Sequence, residues 1–499
     1  MRINFRFATL LLFIQLITLS LLAQDKINEN EQLYRPSMHF TPAKGWMNDP
    51  NGMFYKDGIY HLYFQHYPDS TVWGPMHWGH ATSTDLIHWK HEPIAIYPDN
   101  IGMIFSGSAV VDENNTSGFG VNGKAPIVAI FTQHNMEGEK SGKIDFQNQS
   151  IAYSNDNGYT WKMYAGNPVI HNPGIKDFRD PKVMWHEASK KWIMTLAVKN
   201  KVSFYSSSNL KEWKHESDFG INYGSHDGVW ECPDLFSLKL NNQAYWVLTA
   251  SINPGGPNKG SATQYFIGSF DGHNFITESS KIKWMDYGAD NYAGVTFSNT
   301  GDQKISIGWM SNWMYAQQVP TMQWRSALTS PRELNLFEVN GEKYLGSVLF
   351  TKPEIKNIVL FNDGVNKLDQ TTLATPFKFS LAQEGLKSFC ISLSNDIGEH
   401  LDFGYDSATN QYFIDRSNAG VHNFHSQFAQ RHTAPRLFDG RNVGLGAIID
   451  KTSIELFGDI DCTIITDIFF PTKPYTKIKL ESKTDKSKMS YRIVNYLTP

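Results

Sequence analysis

The 499-residue sequence contains little cysteine and little charge, and neither sign of charge dominates. Its three cysteines, Cys232, Cys390 and Cys462, are too few for a disulfide framework, so a hydrophobic core has to hold the fold together. The sequence allows either a Cys390–Cys462 bridge or two separate buried thiols. Charged residues make up 19% of the chain and the net charge is −4. The chain has no excess of basic residues that could attract nucleic acid, and we expect no nucleic-acid partner.

A sustained helical period with capping residues is also missing after the N-terminal segment. Short runs rich in β-branched and aromatic residues recur instead, separated by Gly, Asn, Asp and Pro. The pairs Asp57-Gly58 and Asn340-Gly341 are typical of tight hairpin turns. These patterns predict an all-β protein.

The N-terminus carries the pattern of a secretory signal peptide over residues 1–23. Two arginines precede an apolar run over residues 7–22, and the small residue Ala23 ends it. The run is short for a membrane span, but Leu21 is not the small residue expected near a cleavage site, so an uncleaved anchor stays open. No cysteine precedes Cys232, which argues against a lipoprotein. We expect a secreted or periplasmic protein without a stable membrane partner.

A short segment with a serine, an acidic or amide residue and a closing aromatic occurs four times in the sequence. The closing aromatics are Trp89, Trp161, Trp213 and Phe275, at intervals of 72, 52 and 62 residues. Each copy is typical of a hairpin turn in which the Asp or Asn side chain bonds to its own backbone. A repeat of about one four-stranded sheet predicts a β-propeller of few blades.

The domain organisation follows from where this repeat ends. We assign residues 34–335 to the propeller. Strand-like runs without the repeat continue over residues 350–499 and predict a second β-domain, most simply a sandwich. The connection is short, so the two domains are expected to pack firmly.

Three carboxylates stand out by their context, because each lies one or two residues before a proline. They are Asp49, Asp180 and Glu231. Proline holds its predecessor extended and lacks a backbone N–H, which predicts that the acids lie where strands begin. The innermost strands of a propeller surround its funnel, so three acids from three blades would face one pocket. A pair of carboxylates in such a pocket is what glycoside hydrolysis requires.

At this point the motifs resemble those of glycoside hydrolase family 32, the β-fructofuranosidases that include invertases, inulinases and levanases. The segments that carry the resemblance are Trp46-Met47-Asn48-Asp49-Pro50-Asn51-Gly52, Arg179-Asp180-Pro181, Glu231-Cys232-Pro233, Asp290-Asn291-Tyr292-Ala293, Trp309-Met310-Ser311-Asn312-Trp313 and Asp450-Lys451-Thr452-Ser453-Ile454-Glu455. They extend over nearly the whole mature length. The resemblance implies a five-bladed β-propeller followed by a C-terminal β-sandwich.

The resemblance also implies roles for the three acids. Asp49 would be the nucleophile, Glu231 the acid/base and Asp180 the transition-state stabiliser of a retaining reaction. The substrate-binding residues expected with them are Asn48, Gln65, Trp73, Phe105, Ser106, Arg179 and Trp309. Strand alternation would turn Trp230 and Cys232 away from the substrate. His77 and His80 lack further ligands, so packing is the favoured interpretation, and no metal or organic cofactor is expected.

The function implied is release of terminal fructose from levan or inulin, with sucrose as a smaller candidate substrate. An endo-acting enzyme of the same family is one alternative. A sialidase is another, because Ser154 to Trp161 resembles the turns of those propellers, but the acid-centred motifs supply neither an arginine cluster nor a tyrosine nucleophile. A non-catalytic carbohydrate-binding propeller is the alternative from a different class. The sequence does not indicate the oligomeric state.

Overall fold

The computed structural model describes residues 31–351, 353–361, 369–370, 373, 375–482 and 489–497. The signal peptide expected over residues 1–23 lies outside the described residues. Almost all regular structure in the described part is β-strand; residues 31–34 are helical, and a short helix, α1 (Met136–Lys140), lies between two strands. The all-β prediction is confirmed.

The N-terminal part consists of short strands that form five sheets. The strands are β1 (Gly45–Lys56), β2 (Ile59–Tyr67), β3 (His77–Ser83), β4 (Lys90–Ile96), β5 (Met103–Val111), β6 (Ile127–His134), β7 (Gln147–Ser154), β8 (Lys162–Met163), β9 (Phe178–His186), β10 (Lys191–Val198), β11 (Lys201–Ser207), β12 (Lys214–Phe219), β13 (Val229–Leu240), β14 (Gln243–Asn253), β15 (Ala262–Phe270), β16 (Phe275–Thr277), β17 (Lys283–Trp284), β18 (Tyr292–Thr296), β19 (Ile305–Met310), β20 (Trp324–Arg325), β21 (Ala327–Leu328), β22 (Arg332–Val339) and β23 (Glu342–Leu349).

The first strands of the five sheets form a closed ring. Strands β1, β5, β9, β13 and β18 contact one another in this order, and β18 also contacts β1. Strand β20, from the connection between β19 and β22 of the last sheet, pairs in parallel with β1 of the first sheet. Successive sheets with their first strands around a common axis make up a β-propeller, as predicted.

The four repeat segments form the turns predicted for them. In the first, Ser83 Oγ accepts the backbone N–H of Leu86 at 2.8 Å, and Asp85 Oδ1 accepts that of His88 at 2.8 Å. In all four copies the Asp or Asn side chain accepts backbone N–H groups of its own turn. The turns join β3 to β4, β7 to β8, β11 to β12 and β15 to β16, and the closing aromatics pack into the cores between sheets.

The C-terminal part is a sandwich of two six-stranded sheets, as predicted. Its strands are β24 (Ile355–Phe361), β25 (Asp369–Gln370), β26 (Phe377–Glu384), β27 (Phe389–Ser394), β28 (His400–Asp406), β29 (Gln411–Asn418), β30 (Arg431–Pro435), β31 (Asn442–Ile449), β32 (Ser453–Gly458), β33 (Thr463–Ile468), β34 (Lys477–Ser482) and β35 (Met489–Tyr496). The sheet orders are β24-β35-β26-β31-β32-β33 and β25-β34-β27-β28-β29-β30. One continuous apolar core that includes Phe379, Phe403 and Leu456 lies between them.

The first domain extends further than the boundary at residue 335 that the sequence analysis assigns. Strand β22 pairs with β19, and β23 pairs with β22, so the fifth sheet continues to Leu349. The turn-forming Asn340-Gly341 pair joins these two strands as a hairpin. The short serine-containing motif does not recur in this sheet, which is why it did not reveal the outer strands.

A buried charge network joins the two domains. His39 Nδ1 lies 3.0 Å from Asp450 Oδ2 and its Nε2 lies 2.7 Å from Glu455 Oε1, with all three side chains inaccessible to solvent. Arg332 binds Glu455 from the propeller side and also pairs with Asp286. Burial alone would lower the pKa of His39, but the two carboxylates outweigh it and raise the pKa to about 9. His39 is therefore a cation held between two anions at physiological pH.

Each of the three cysteines is unpaired, so Cys390 and Cys462 do not form a bridge. Cys390 is on β27, whereas Cys462 comes directly before β33 in the other sheet of the sandwich. Among the described residues, no helix is long and apolar enough to cross a membrane.

Candidate active site

Each strand of the inner ring carries a β-bulge near its start, and residues from three of the five bulges line one cavity. In each one, two consecutive residues stand opposite a single residue of the next strand. The bulged pairs are residues 48–49, 105–106, 180–181, 232–233 and 293–294, and they face Gln65, Thr132, Leu196, Ala250 and Gly308 respectively. A bulge redirects side chains out of the regular alternation of a strand, which is how strands present functional groups at one end of a sheet.

Proline explains two of these bulges. Pro181 and Pro233 occupy bulge positions, where the missing backbone N–H costs no ladder hydrogen bond. The residue before each proline, Asp180 or Cys232, has a positive φ of 65° or 44°. Asp49, Asp180 and Glu231 all lie close to the starts of β1, β9 and β13, as predicted. The expectation that proline holds its predecessor extended is wrong for Asp180 and Cys232, because both stand in a bulge with a left-handed backbone.

The bulge in β13 corrects the expectation that Cys232 points away from the site. Its Sγ lies 3.5 Å from Asp49 Oδ2 and 3.6 Å from Asp180 Oδ2, and its backbone N–H donates to Asp180. Alternation would separate Glu231 from Cys232 only in a regular strand, whereas the bulge turns both toward the funnel. Trp230 does point away and packs in the core against Phe266.

The funnel holds a cavity of about 260 Å³ that gathers nearly all of the expected site residues. Those that line it are Asn48, Asp49, Gln65, Trp73, Phe105, Ser106, Arg179, Asp180 and Glu231. Six further residues that the sequence analysis did not select also line it: His134, Glu139, Phe146, Gln147, Asp177 and Trp313. Residues from four different sheets and one loop of the fifth therefore share a single cavity.

Trp309 is the one expected site residue that does not line the cavity. It lies at the end of β19, is fully buried, and packs against Trp46 and Trp313. Trp313, four residues later on the loop after β19, reaches the cavity wall instead. Both tryptophans belong to one motif. Trp309 lies within β19, which ends at Met310, whereas Trp313 lies on the following loop and reaches the cavity.

Asp49 is held by hydrogen bonds to both carboxylate oxygens. Asn48 Nδ2 donates to Oδ1 at 2.9 Å, and Ser106 Oγ donates to Oδ2 at 2.6 Å. Trp46 Nε1 fixes the Asn48 amide by donating to its Oδ1 at 2.7 Å. Burial raises the pKa of Asp49, and the nearby Glu231 carboxylate adds to this, while the hydrogen bonds from Ser106 and Asn48 oppose it.

Asp180 is a buried carboxyl whose pKa is raised. Burial and the charges of Glu231 and Asp49 raise the pKa of Asp180 to about 7, although the Arg179 guanidinium opposes the rise. Its backbone N–H donates to Thr132 Oγ1 at 3.0 Å, which fixes the bulge against β6.

Glu231 is oriented by two neighbours. Arg179 donates to its Oε1 through Nε at 3.1 Å and Nη2 at 2.9 Å, and Tyr292 OH donates to its Oε2. Arg179 is fixed in turn by Asp177 at 2.7 Å. Burial first, and then the charge of Glu231, keep the pKa of Tyr292 well above its ordinary value, so its hydroxyl stays protonated.

Sequence signals for the additional residues differ. Asp177 stands two residues before Arg179 at the start of β9, and Tyr292 belongs to a motif that carries the family resemblance, so both were within reach of sequence reasoning. His134 ends β6 and Glu139 lies in the connection that follows, and neither belongs to a recognisable motif. His80 packs against the ring of His61, with 3.1 Å between the two ring nitrogens, which agrees with the packing interpretation. Among the described residues there is no cluster of three potential metal ligands.

Comparison with known proteins places this cavity in a family. The model of the glycosyl hydrolases family 32 N-terminal domain matches residues 39–348, and that of the family 32 C-terminal domain matches residues 357–495. The chain belongs to glycoside hydrolase family 32. The sequence-based recognition of this family is confirmed, and the two matches follow the division into propeller and sandwich.

Relatives within glycoside hydrolase family 32 match almost the entire chain. The chain is 45% identical to a levanase of Bacillus subtilis, over 90% of this chain and 68% of the relative. It is 39% identical to an extracellular exo-inulinase of Aspergillus niger, over 91% of this chain and 92% of the relative. The crystal structure of an exo-inulinase from Aspergillus awamori superposes with a TM-score of 0.87 at 36% identity, over 94% of this chain and 99% of that one.

Proposed function

We propose that this family 32 glycoside hydrolase releases terminal fructosyl units from β-fructans with retention of configuration. The observation that carries the proposal is the convergence of Asp49, Asp180 and Glu231 in one cavity at the mouth of the funnel. Two carboxyl groups with distinct environments are what a double-displacement mechanism requires. Asp49 is fixed by short neutral hydrogen bonds, whereas Glu231 is held by an arginine and a tyrosine.

In the first step, Asp49 attacks the anomeric carbon of the terminal fructosyl unit. The bond from that carbon to the leaving oxygen breaks as Glu231 donates a proton to this oxygen, and a covalent fructosyl-enzyme forms on Asp49. Positive charge develops on the sugar ring in the transition state. Asp180 lies beside Asp49 across the Cys232 thiol, in a position to bind the ring hydroxyls and to stabilise this charge.

In the second step, Glu231 accepts a proton from a water molecule while the water oxygen attacks the same anomeric carbon. The bond to Asp49 breaks, fructose leaves, and Glu231 is again protonated for the next cycle. Two inversions give net retention. Product analysis by NMR immediately after mixing therefore detects β-fructofuranose first, before mutarotation; α-fructofuranose as the first product contradicts the mechanism.

The size and chemistry of the cavity support a terminal unit as its occupant. A cavity of about 260 Å³ with carboxylate, amide and guanidinium groups and the aromatic rings of Trp73, Phe105 and Trp313 suits one sugar unit better than an internal stretch of polymer. Relatives named levanase and exo-inulinase make levan and inulin the first candidate substrates, with sucrose as a smaller one. The extracellular relatives support secretion. No organic cofactor or metal enters this mechanism.

The decisive experiment follows the products that the purified mature chain forms from levan, inulin and sucrose, resolved by chain length. Free fructose as the only early product supports terminal cleavage, and the faster polymer identifies the linkage. Early oligosaccharides point to an endo-acting enzyme. Absence of any product from all three substrates would support the alternative of a non-catalytic carbohydrate-binding propeller. Turnover of a sialoside, with no turnover of these three substrates, would support the alternative of a sialidase.

A further inference from the structure

One wall of the cavity is formed by a connection that none of the family motifs includes. Residues 135–146 join β6 to β7 and contain helix α1. Asn135 caps this helix by accepting the N–H of Gly138 at 2.8 Å, and its own N–H donates to the carbonyl of Phe146 at 2.8 Å. The connection is thereby closed at its base, and it presents the side chain of Glu139 to the cavity.

A chain of hydrogen bonds links Glu139 to the strand that carries Arg179 and Asp180. The backbone N–H of Phe178 donates to Gln147 Oε1 at 2.9 Å, which fixes the orientation of that amide. Gln147 Nε2 then donates to His134 Nδ1 at 3.3 Å. His134 Nε2 lies 3.0 Å from Glu139 Oε2.

The His134 ring that connects Gln147 to Glu139 is neutral. Burial lowers its pKa and the nearby Arg179 charge lowers it further, against the opposing effect of Glu139. With Nδ1 accepting from Gln147, the proton resides on Nε2 and is donated to Glu139. The ring stacks on Phe105 at 4.3 Å between centroids and meets Phe146 edge-on at 5.1 Å. Glu139 is therefore anchored by a rigid partner.

The exposure of the acidic groups shows which part of the cavity Glu139 occupies. Asp49 and Asp180 are 9% and 6% exposed, whereas the side chain of Glu231 is 20% exposed and that of Glu139 is 40% exposed. The fructosyl unit has to reach Asp49 at the bottom. Everything attached beyond the scissile oxygen, which Glu231 protonates, has to lie in the outer part, where Glu139 stands.

We propose that Glu139 is a specificity-determining residue that binds hydroxyl groups of the sugar in the leaving group. Its Oε2 is held by His134, which leaves Oε1 to accept from a sugar hydroxyl at the rim. His134 acts through Glu139 and is a positioning residue. This inference rests on the proposed hydrolysis of β-fructosides and adds the group that recognises what the fructosyl unit is attached to.

The test compares substrates with and without a sugar as the leaving group. Sucrose and a short inulin oligosaccharide carry one, whereas methyl β-D-fructofuranoside has only a methyl group beyond the scissile oxygen, and this group carries no hydroxyl for Glu139 to bind. Glu139→Ala is expected to lower kcat/KM about tenfold for the first two substrates and less than twofold for the methyl fructoside. Glu139→Gln keeps an acceptor oxygen and is expected to restore part of the loss.

Glu137→Ala is the matched control, because Glu137 lies on the same short helix, is exposed and does not line the cavity. It should leave all three substrates unaffected. His134→Phe retains the ring between Phe105 and Phe146 but removes the donor, so it should reproduce the selective loss of Glu139→Ala. Equal losses on all three substrates, or no loss in Glu139→Ala, would overturn the inference. Failure of the unsubstituted protein on every substrate would instead refute the proposed function itself.

Discussion

The thiol of Cys232 lies 3.5 Å from Oδ2 of Asp49, although 183 positions separate the two residues in the sequence. The contact exists because two bulges on two different inner strands meet at the mouth of the funnel. The same sulfur lies 3.6 Å from Asp180 Oδ2, so Cys232 occupies the space between two carboxylates. The bulge in β13 thereby places the polarisable Cys232 sulfur beside the carboxylates, whereas regular strand alternation would have placed it on the opposite face of the sheet.

Replacement of Cys232 by alanine tests the importance of this contact. The backbone N–H to Asp180 remains, and only a weak sulfur donor is lost, so we expect kcat to fall about threefold to tenfold. KM should change little, since the thiol is buried behind the acids. Steady-state kinetics of Cys232→Ala should be compared with those of Cys390→Ala, a control substitution in the C-terminal domain. Unchanged kcat in Cys232→Ala would show that the sulfur only fills space.

The assignment of the two catalytic acids predicts separable losses. Asp49→Asn removes the nucleophile and should lower kcat by more than about 10⁴-fold, and Glu231→Gln should lower it by about 10²- to 10⁴-fold. Both replacements are nearly isosteric, so circular dichroism and thermal melting should remain close to those of the unsubstituted protein. The exposed Asp302, at 96% side-chain exposure, offers Asp302→Asn as a control. Folded Asp49→Asn or Glu231→Gln proteins with near-normal turnover would remove these roles.

The two tryptophans of the β19 motif should differ in what they affect. Trp313 lines the cavity, so Trp313→Ala should raise KM for fructan substrates about tenfold with a small change in stability. Trp309 is fully buried, so Trp309→Ala should reduce the free energy of unfolding by roughly 3 to 5 kcal/mol. Urea denaturation and initial rates on the same preparations distinguish the effects. The reverse pattern would place Trp309 at the substrate.

The His39 network predicts a loss of stability at alkaline pH. The pKa of His39 is raised in the folded state to about 9 from an ordinary value of 6.5, so the folded protein binds this proton more tightly than the unfolded chain does. Its contribution, roughly 3 kcal/mol, is fully present below pH 6.5 and is lost as the pH rises through 9.

His39→Gln measures this contribution. The variant should be less stable than the unsubstituted protein at pH 6, and the difference should shrink by pH 10, as followed by denaturant unfolding at each pH. His88→Gln is the control, since His88 pairs with Asp85 at the surface and its side chain is 59% exposed. A stability difference that stays constant from pH 6 to pH 10 would contradict a charged His39.

Much of the fold was determined locally and could be inferred from the sequence. The serine and Asp or Asn turns that close at Trp89, Trp161, Trp213 and Phe275 depend on short-range hydrogen bonds, so four of the sheets could be located from residues a few positions apart. The prolines after Asp180 and Glu231 likewise marked strand starts, because proline restricts its own neighbourhood.

Tertiary structure alone decided which side chains share the cavity. Local patterns do not reveal a bulge that turns Cys232 inward, a strand end that exposes Trp313 rather than Trp309, or a connection that carries Glu139 to the rim. Each of these depends on how one sheet packs against the next around the ring. The sequence by itself predicted the reacting acids, whereas the residues that surround them in the cavity are brought together only when the ring closes.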